Sequence, residues 1–409
     1  MKRERTGNNK FLKRLNQMRI LNALREHGAI SKIELSKITG LSPTAIGSIT
    51  SELQEQGYIH ETGKGESKGG RRPKLLELKP RSFYSVGVDF DVDYMDLVLV
   101  DITGQVIDQI SHKVPKWDSV EKVAEKFELM VAQVIDKYSI QRQKLLGLGV
   151  SIPGLVDSNR AEIIMAPNLG WKNINFKYLL NQFKDVPLYI ENEAMASAIY
   201  ESWLGSCRGI ENFVCINIKS GIGAGIFING KLYRGVSGTA GEIGHIVVYE
   251  NGPRCGCGNY GCVETLASAG YIEQRARKMA RQGVSIKLSS FKDIDSISID
   301  DVAVAARNGD EASTNILKES GKYLGIAIAS IINMLNPKKI VLGKKFTRYA
   351  DIVLDTVKAV VECKALKFPA ADVEIVASEV GDRASTIGAA LTPIIERIGG
   401  HSCTWNICS

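Results

Sequence analysis

The spacing of apolar positions divides the chain into two regimes. In the first eighty residues the period is helical and the elements are short. Met18, Leu21 and Leu24 share one helical face with Ile20 beside them, over residues 15–27, and the run stops at His27-Gly28. Ser31-Lys32-Ile33-Glu34 reads as a capping box, in which Ser31 and Glu34 satisfy the free amides of a new helix. Gly40 ends that helix. Ser42 followed by Pro43 is a second cap with proline at the first helical position, and Ile46, Ile49 and Leu53 form the buried stripe. Two short helices joined around Gly40 predict a helix-turn-helix. Residues 58–61 and 75–78 then alternate like strands, with Gly63-Lys64-Gly65 and Gly69-Gly70-Arg71-Arg72-Pro73 between them, which predicts a winged hairpin.

From Tyr84 the period becomes that of strands, at residues 85–90, 95–100 and 106–112. A helix over 120–138 and a strand over 145–151 follow. Strand patterns recur at 213–218, 223–228, 231–233 and 340–342. The second regime is therefore α/β, two lobes of one duplicated plan with the ligand expected in the cleft between them. The expected division is 1–80 for the DNA-binding arm, 81–198 for the first lobe and 199–395 for the second. A C-terminal helix is expected to return to the first lobe, and 396–409 forms a tail.

Composition changes little in this picture, but charge changes it a good deal. The 409 residues are 44% hydrophobic and 24% charged, as in ordinary globular proteins. No run of eighteen apolar residues predicts a membrane span, and the polar start Met-Lys-Arg-Glu-Arg lacks the apolar core of a signal peptide. Eight cysteines, three of them in a metal pattern, point to a reducing cytoplasm. Residues 1–80 carry sixteen Lys and Arg against eight Glu and no Asp, a balance of +8; the whole chain is +7, so the remainder is about −1. The basic excess belongs to the arm alone, the footprint of a nucleic-acid partner. The small exposed residues Ser42, Thr44, Ala45 and Ser48 can approach base edges and phosphates in a major groove, and Lys68, Arg71 and Arg72 on the wing can reach the backbone or minor groove.

The chemistry is concentrated in residues 241–264. His245, Cys255, Cys257 and Cys262 lie within eighteen residues, separated by glycines that let the backbone fold tightly. Three thiolates and one imidazole form the closed tetrahedral shell that Zn²⁺ takes in structural sites, so the ion is expected to hold shape and not to activate water. Glu242 and Glu264 flank the shell, and a structural zinc does not need them.

This stretch resembles the signature of the ROK family (repressors, open reading frames and sugar kinases), in which Gly-Glu-x-Gly-His precedes Cys-x-Cys-Gly-x-x-Gly-Cys-x-Glu. The Gly-Gly-Arg-Arg-Pro wing is similar to that of the family's repressors, and the resemblance runs over roughly residues 11–395. It implies a ribonuclease-H-like, actin-like or sugar-kinase body behind a winged helix-turn-helix. It also implies a sugar pocket holding Asn168, Asn192, Glu193, Glu242, His245 and Glu264. Family kinases show Asn-Asp-Ala where this chain has Asn192-Glu193-Ala194, the Asp acting as general base; here the carboxylate is one methylene longer. They also show Asp-x-Gly-Gly-Thr where this chain has Asp89-Phe90-Asp91-Val92-Asp93, so both phosphate-facing glycines are replaced. The glycines of Ser220-Gly221-Ile222-Gly223-Ala224-Gly225 are kept, whereas lysines follow Leu342-Gly343 in place of further glycines.

The expectation is a cytoplasmic, sugar-responsive repressor without catalytic activity, a homodimer or dimer of dimers on operator DNA. Residues 190–194, Asp91-Val92-Asp93-Tyr94 and residues 234–238 are most similar to family repressors responsive to xylose, although Met195 departs from the asparagine expected there. An ATP-dependent sugar kinase carrying a DNA-binding arm is the alternative. A third reading makes the DNA arm answer to a phosphotransfer protein.

Overall fold

The computed structural model describes residues 3–64, 72–92, 94–114 and 119–399. Lys68 and Arg71 of the wing, Asp93 and the tail from residue 400 lie outside the described residues.

The arm opens with α1 (Arg3–His27), longer than the apolar spacing predicted; Phe11 and Leu12 are exposed on it, whereas Ile20, Leu21 and Leu24 of its later turns are buried. A two-residue strand, β1 (Ile30–Ser31), leads into α2 (Lys32–Thr39). Ser31 accepts from the Glu34 amide while the Glu34 carboxylate accepts from the Ser31 amide at 2.8 Å, the reciprocal box that the sequence predicts. Gly40 closes α2 at φ +71°, and Ser42 caps α3 (Pro43–Glu55) by accepting from Ala45 N–H. Ile46, Ile49 and Leu53 are buried on α3. The wing pairs β2 (Ile59–Lys64) with β3 (Lys74–Leu78), and β3 also pairs with β1, giving the order β1-β3-β2.

The body divides into two compact units. The first contains the arm and runs through Glu191; it takes up the chain again from Ala389. Its sheet is built from β4 (Tyr84–Phe90), β5 (Tyr94–Asp101), β6 (Val106–Lys113), β7 (Leu145–Ile152) and β11 (Leu188–Asn192), with α4 (Val120–Lys137) between β6 and β7. The order is β11-β7-β4-β5-β6, antiparallel at β4–β5 and β5–β6 and parallel at β4–β7. A smaller antiparallel sheet, β8 (Leu155–Asp157), β9 (Glu162–Ala166) and β10 (Trp171–Asn175), follows β7. Phe90 meets Trp171 and Phe176 edge-on, at 5.5 and 5.7 Å between ring centroids, and Phe127 of α4 meets Phe176 at 5.5 Å. Truncating one of these buried rings to alanine would cost about 3–5 kcal/mol, so this cluster fixes the sheet–helix packing.

The second unit is Asn192–Gly388. It begins with α5 (Glu193–Trp203) and the meander β12 (Phe213–Ile218), β13 (Ile222–Ile228) and β14 (Lys231–Tyr233). The metal-pattern loop leads into α6 (Glu264–Ala267), α7 (Ala269–Arg281), α8 (Ile286–Ser289), α9 (Ile299–Arg307) and α10 (Glu311–Leu335). Then come β15 (Lys339–Lys344), α11 (Ala350–Lys364), α12 (Lys367–Asp372), β16 (Glu374–Ala377) and the start of α13 (Ala384–Ile398). The sheet order is β14-β13-β12-β15-β16, with β12–β15 and β15–β16 parallel. Ile216, Ile340 and Leu342 of the sheet are buried with Leu324, Ile328, Val353 and Val357 of the helices in one core. Among the described residues no helix is long and apolar enough to cross a membrane.

Candidate functional site

The metal pattern is gathered in three dimensions. One ligand atom each from His245, Cys255, Cys257 and Cys262 lies within 4.8 Å of the other three. Cys257 and Cys262 sulfurs are 3.7 Å apart and Cys255 Sγ is 3.6 Å from His245 Nδ1. Four ligands at about 2.3 Å from a common centre would stand about 3.8 Å apart in a tetrahedron, so the cluster has the dimensions as well as the donors for one ion. Local backbone makes this possible: Gly261 sits at φ +67°, and a Cβ there would fall 1.5 Å from the Tyr249 carbonyl oxygen. Burial pushes the Cys262 thiol up to about 12, and the two neighbouring cysteines push the same way. A bound cation would relieve that by accepting the thiolates. His245 turns Nδ1 to the cysteines and Nε2 toward Glu242 Oε2, 3.9 Å away, the side on which ligating histidines are oriented by a carboxylate.

The carboxylates of the second unit surround the β12–β13 turn. Glu264 Oε2 accepts from Ile222 N–H at 3.1 Å, and its other oxygen lies 3.9 Å from Cys255 Sγ, so the turn and the metal loop share one residue. Burial raises the pKa of Glu242; His245 opposes that rise and Glu264 adds to it. On the far side of the turn, Glu193 is only 7% exposed at the start of α5. Its oxygens face Lys219 Nζ at 3.5 Å and Lys344 Nζ at 3.6 Å. A carboxylate this buried needs counter-charge, and both lysines belong to the same unit. Neither pairing is legible in the sequence, where Lys344 shows only as a lysine in place of glycine. Asn192 also acts as the helix cap, its Oδ1 accepting from Ala194 N–H at 2.8 Å.

Asn168 is exposed in the turn Pro167–Leu169 and belongs to the first unit. The structure thus brings Glu193, Glu242, His245 and Glu264 around one turn of the second unit, with Asn192 beside Glu193, whereas Asn168 belongs to the other unit. Also in the first unit, the β4–β5 turn that replaces the family's glycine loop is folded on itself. Asp91 N–H donates to the Tyr94 carbonyl at 2.8 Å, and Val92 N–H donates to Asp91 Oδ1 at 2.6 Å. The Val92 amide is thus engaged by the chain's own carboxylate.

On the arm, Ser42, Thr44 and Ser48 are exposed at and beyond the N-terminus of α3, while Ala45 is half-buried and donates its amide to the Ser42 cap. Arg72 is exposed at the base of the wing.

The chain is similar to known proteins along most of its length. The family model described as "ROK family" matches residues 85–393, and one described as "Winged helix-turn-helix DNA-binding" matches residues 13–60. A xylose repressor of Bacillus spizizenii is 34% identical over 379 residues, 92% of this chain and 94% of that one. The crystal structure of a ROK family transcriptional regulator, described as a homolog of the Escherichia coli MLC protein, superposes with a TM-score of 0.83 at 29% identity, over 95% of this chain and 98% of that one. A ROK family glucokinase from Streptomyces griseus in complex with glucose and AMPPNP gives 0.66 at 27%, over 75% and 98%.

Proposed function

Because this chain belongs to the ROK family and carries a winged helix-turn-helix, we propose that it is a cytoplasmic transcriptional repressor released from operator DNA by a small sugar, xylose or a related monosaccharide. The observation that carries the reading is a pairing on one chain: α3 presents Ser42, Thr44 and Ser48 to solvent, and the second unit gathers sugar-type carboxylates, while in the first unit the Val92 amide is taken by Asp91. Thr44 and Ser48 read base edges, with Ala45 supplying a methyl contact; Lys68, Arg71 and Arg72 neutralise phosphates. Two-fold operators call for an even-numbered homo-oligomer. Asn168, Asn192, Glu193, Glu242, His245 and Glu264 supply the donors and acceptors for sugar hydroxyls. His245, Cys255, Cys257 and Cys262 hold one structural Zn²⁺, which fixes the loop carrying Glu264 and adds no catalytic step.

The kept glycines of the β12–β13 turn favour a kinase as the second reading, since they leave one phosphate-type loop intact. Against it stands the Asp91 carboxylate on the Val92 amide. The discriminating experiment measures binding of genomic operator fragments in the presence of pentoses and hexoses, with and without ATP. Release by xylose or a close relative, indifferent to ATP, is expected. Steady ATP turnover with xylose or glucose would replace the repressor reading by the kinase. Operator affinity unchanged on removing residues 1–80 would end the assignment of the arm.

A further inference from the structure

Lys344 is a strained and buried lysine that the reading above does not use. It closes β15 at φ +57° and ψ −136°, a region that costs a residue with a Cβ about 1–3 kcal/mol, and it is 1% exposed. Such a residue persists only where its surroundings hold it. Here Nζ donates to Ser385 Oγ at 2.6 Å and to the Asp382 carbonyl at 3.1 Å, and it faces Glu193 Oε1 at 3.6 Å. Ser385 lies in the first turn of α13 and Asp382 in the turn before it. One ammonium therefore joins the buried carboxylate of α5 to the start of α13.

Those two helices are also where the chain leaves the second unit, at Asn192 and at Gly388. They cross backbone to backbone within it, because a Cβ on Gly388 would fall 1.7 Å from the Ala196 carbonyl oxygen. In the first unit, the far end of α13 meets the DNA arm. Arg397 Nε donates to Tyr58 Oη at 2.6 Å with its guanidinium 4.8 Å from the ring centroid, and a Cβ on Gly399 would fall 2.5 Å from Met18 Cβ.

We propose that Lys344 is the positioning residue through which a sugar bound at Glu193 acts on α13, and through Arg397 and Tyr58 on the arm. The inference rests on the effector reading. A sugar hydroxyl donating to Glu193 Oε1 competes with the ammonium for that oxygen. A buried ammonium cannot be left without acceptors, so Lys344 shifts its weight to Ser385 and the Asp382 carbonyl, both at the root of α13. Lys219 holds the other Glu193 oxygen, so the carboxylate stays neutralised throughout. The free energy of sugar binding is thereby spent in part on the first turn of a helix that ends against the arm.

The test compares full-length wild type with Lys344→Met, a neutral side chain of similar length. Operator affinity is measured with and without saturating xylose, and xylose affinity by calorimetry. In the wild type the two operator affinities should differ by roughly 5- to 150-fold, the usual span of a coupling between sites. In Lys344→Met the ratio should fall below about twofold, while xylose still binds and operator affinity without sugar is unchanged. A merely structural role would lower the active fraction and leave the ratio alone. Ser385→Ala, which keeps the lysine and removes its acceptor on α13, should give an intermediate ratio and carries the test if Lys344→Met does not fold. Wild-type ratios in both variants overturn the role of Lys344 and leave the effector reading standing. A wild type that neither binds xylose nor changes its operator affinity overturns both together.

Discussion

The two lobes share a strand plan and differ at one turn. In the first, β6-β5-β4-β7-β11 sets three antiparallel strands beside a parallel one; in the second, β14-β13-β12-β15-β16 repeats the order. The turn after the first strand of each lobe is where the copies diverge. Between β4 and β5 two amides are satisfied within the turn, Asp91 taking the Val92 amide and Tyr94 the Asp91 amide. At the start of β13 an amide is satisfied from a distance: Ile222 N–H goes to Glu264, 42 residues on, at the edge of the metal loop. The β12–β13 turn closes locally too, Lys219 N–H donating to the Gly221 carbonyl at 2.9 Å, and it adds an acceptor from the metal loop. Loss of the metal should therefore be felt at this turn.

That dependence makes metal removal the largest expected effect. Cys257→Ser takes one of four candidate ligands from the cluster, and purified variant should carry little zinc where the wild type should carry one ion per chain. An ion held at a thousandfold excess over its dissociation constant stabilises the folded state by about 4 kcal/mol, so the second unit should melt on the order of 10 °C lower. Sugar response should fall with it, because Glu264 leaves the metal loop without a fixed position. Wild-type protein prepared without chelators and found free of zinc by elemental analysis would remove the premise.

Glu264→Ala separates the turn from the metal. Ile222 is 4% exposed, so its amide would lose an acceptor that water cannot replace, at a cost of about 1–3 kcal/mol. All four metal ligands remain, and the ion should stay bound in stoichiometric amount. A urea titration that finds no change in the second unit would mean that the Glu264 acceptor adds nothing to the local closure of the β12–β13 turn, and the contrast between the lobes would be lost.

How much of this could be read beforehand follows from the range of the interactions. The Ser31–Glu34 box, the Ser42 cap and the Ile46, Ile49 and Leu53 stripe are local in sequence, and each is visible as a pattern of neighbours. The His245–Cys262 cluster is compact enough to read from spacing. Strand β1 is two residues long and exists only because β3 offers it an edge, so no period announces it. The pairing of Glu193 with Lys219 and Lys344 joins positions 26 and 151 residues apart, and only the fold brings them together. Resemblance marks Asn192 as a sugar contact, and its Oδ1 is taken by the cap of α5; the cap motif stands in plain view before Glu193-Ala194. The return of a C-terminal helix to the first lobe is an expectation of the family plan that α13 meets by passing from the second unit to the first, and apolar spacing does not encode it.

The smallest expected effect is also the sharpest test of the first turn. Val92 is 38% exposed, so freeing its amide by Asp91→Ala returns it to water, and the stability change should stay below about 0.5 kcal/mol. The same variant asks what keeps nucleotide out. A carboxylate about 4 Å from a phosphate repels it by roughly 4 kcal/mol at an effective dielectric near 20, about a thousandfold in affinity. If that charge were the main barrier, Asp91→Ala would bind ATP where the wild type does not. We expect no binding to either at millimolar ATP, because Val92 keeps a β-branched side chain where the backbone must approach the phosphates and Lys344 still closes β15 in place of a glycine. Calorimetry that finds submillimolar ATP on Asp91→Ala would show charge to be the barrier. The same result on the wild type would make the two turns functionally alike, whatever their hydrogen bonds.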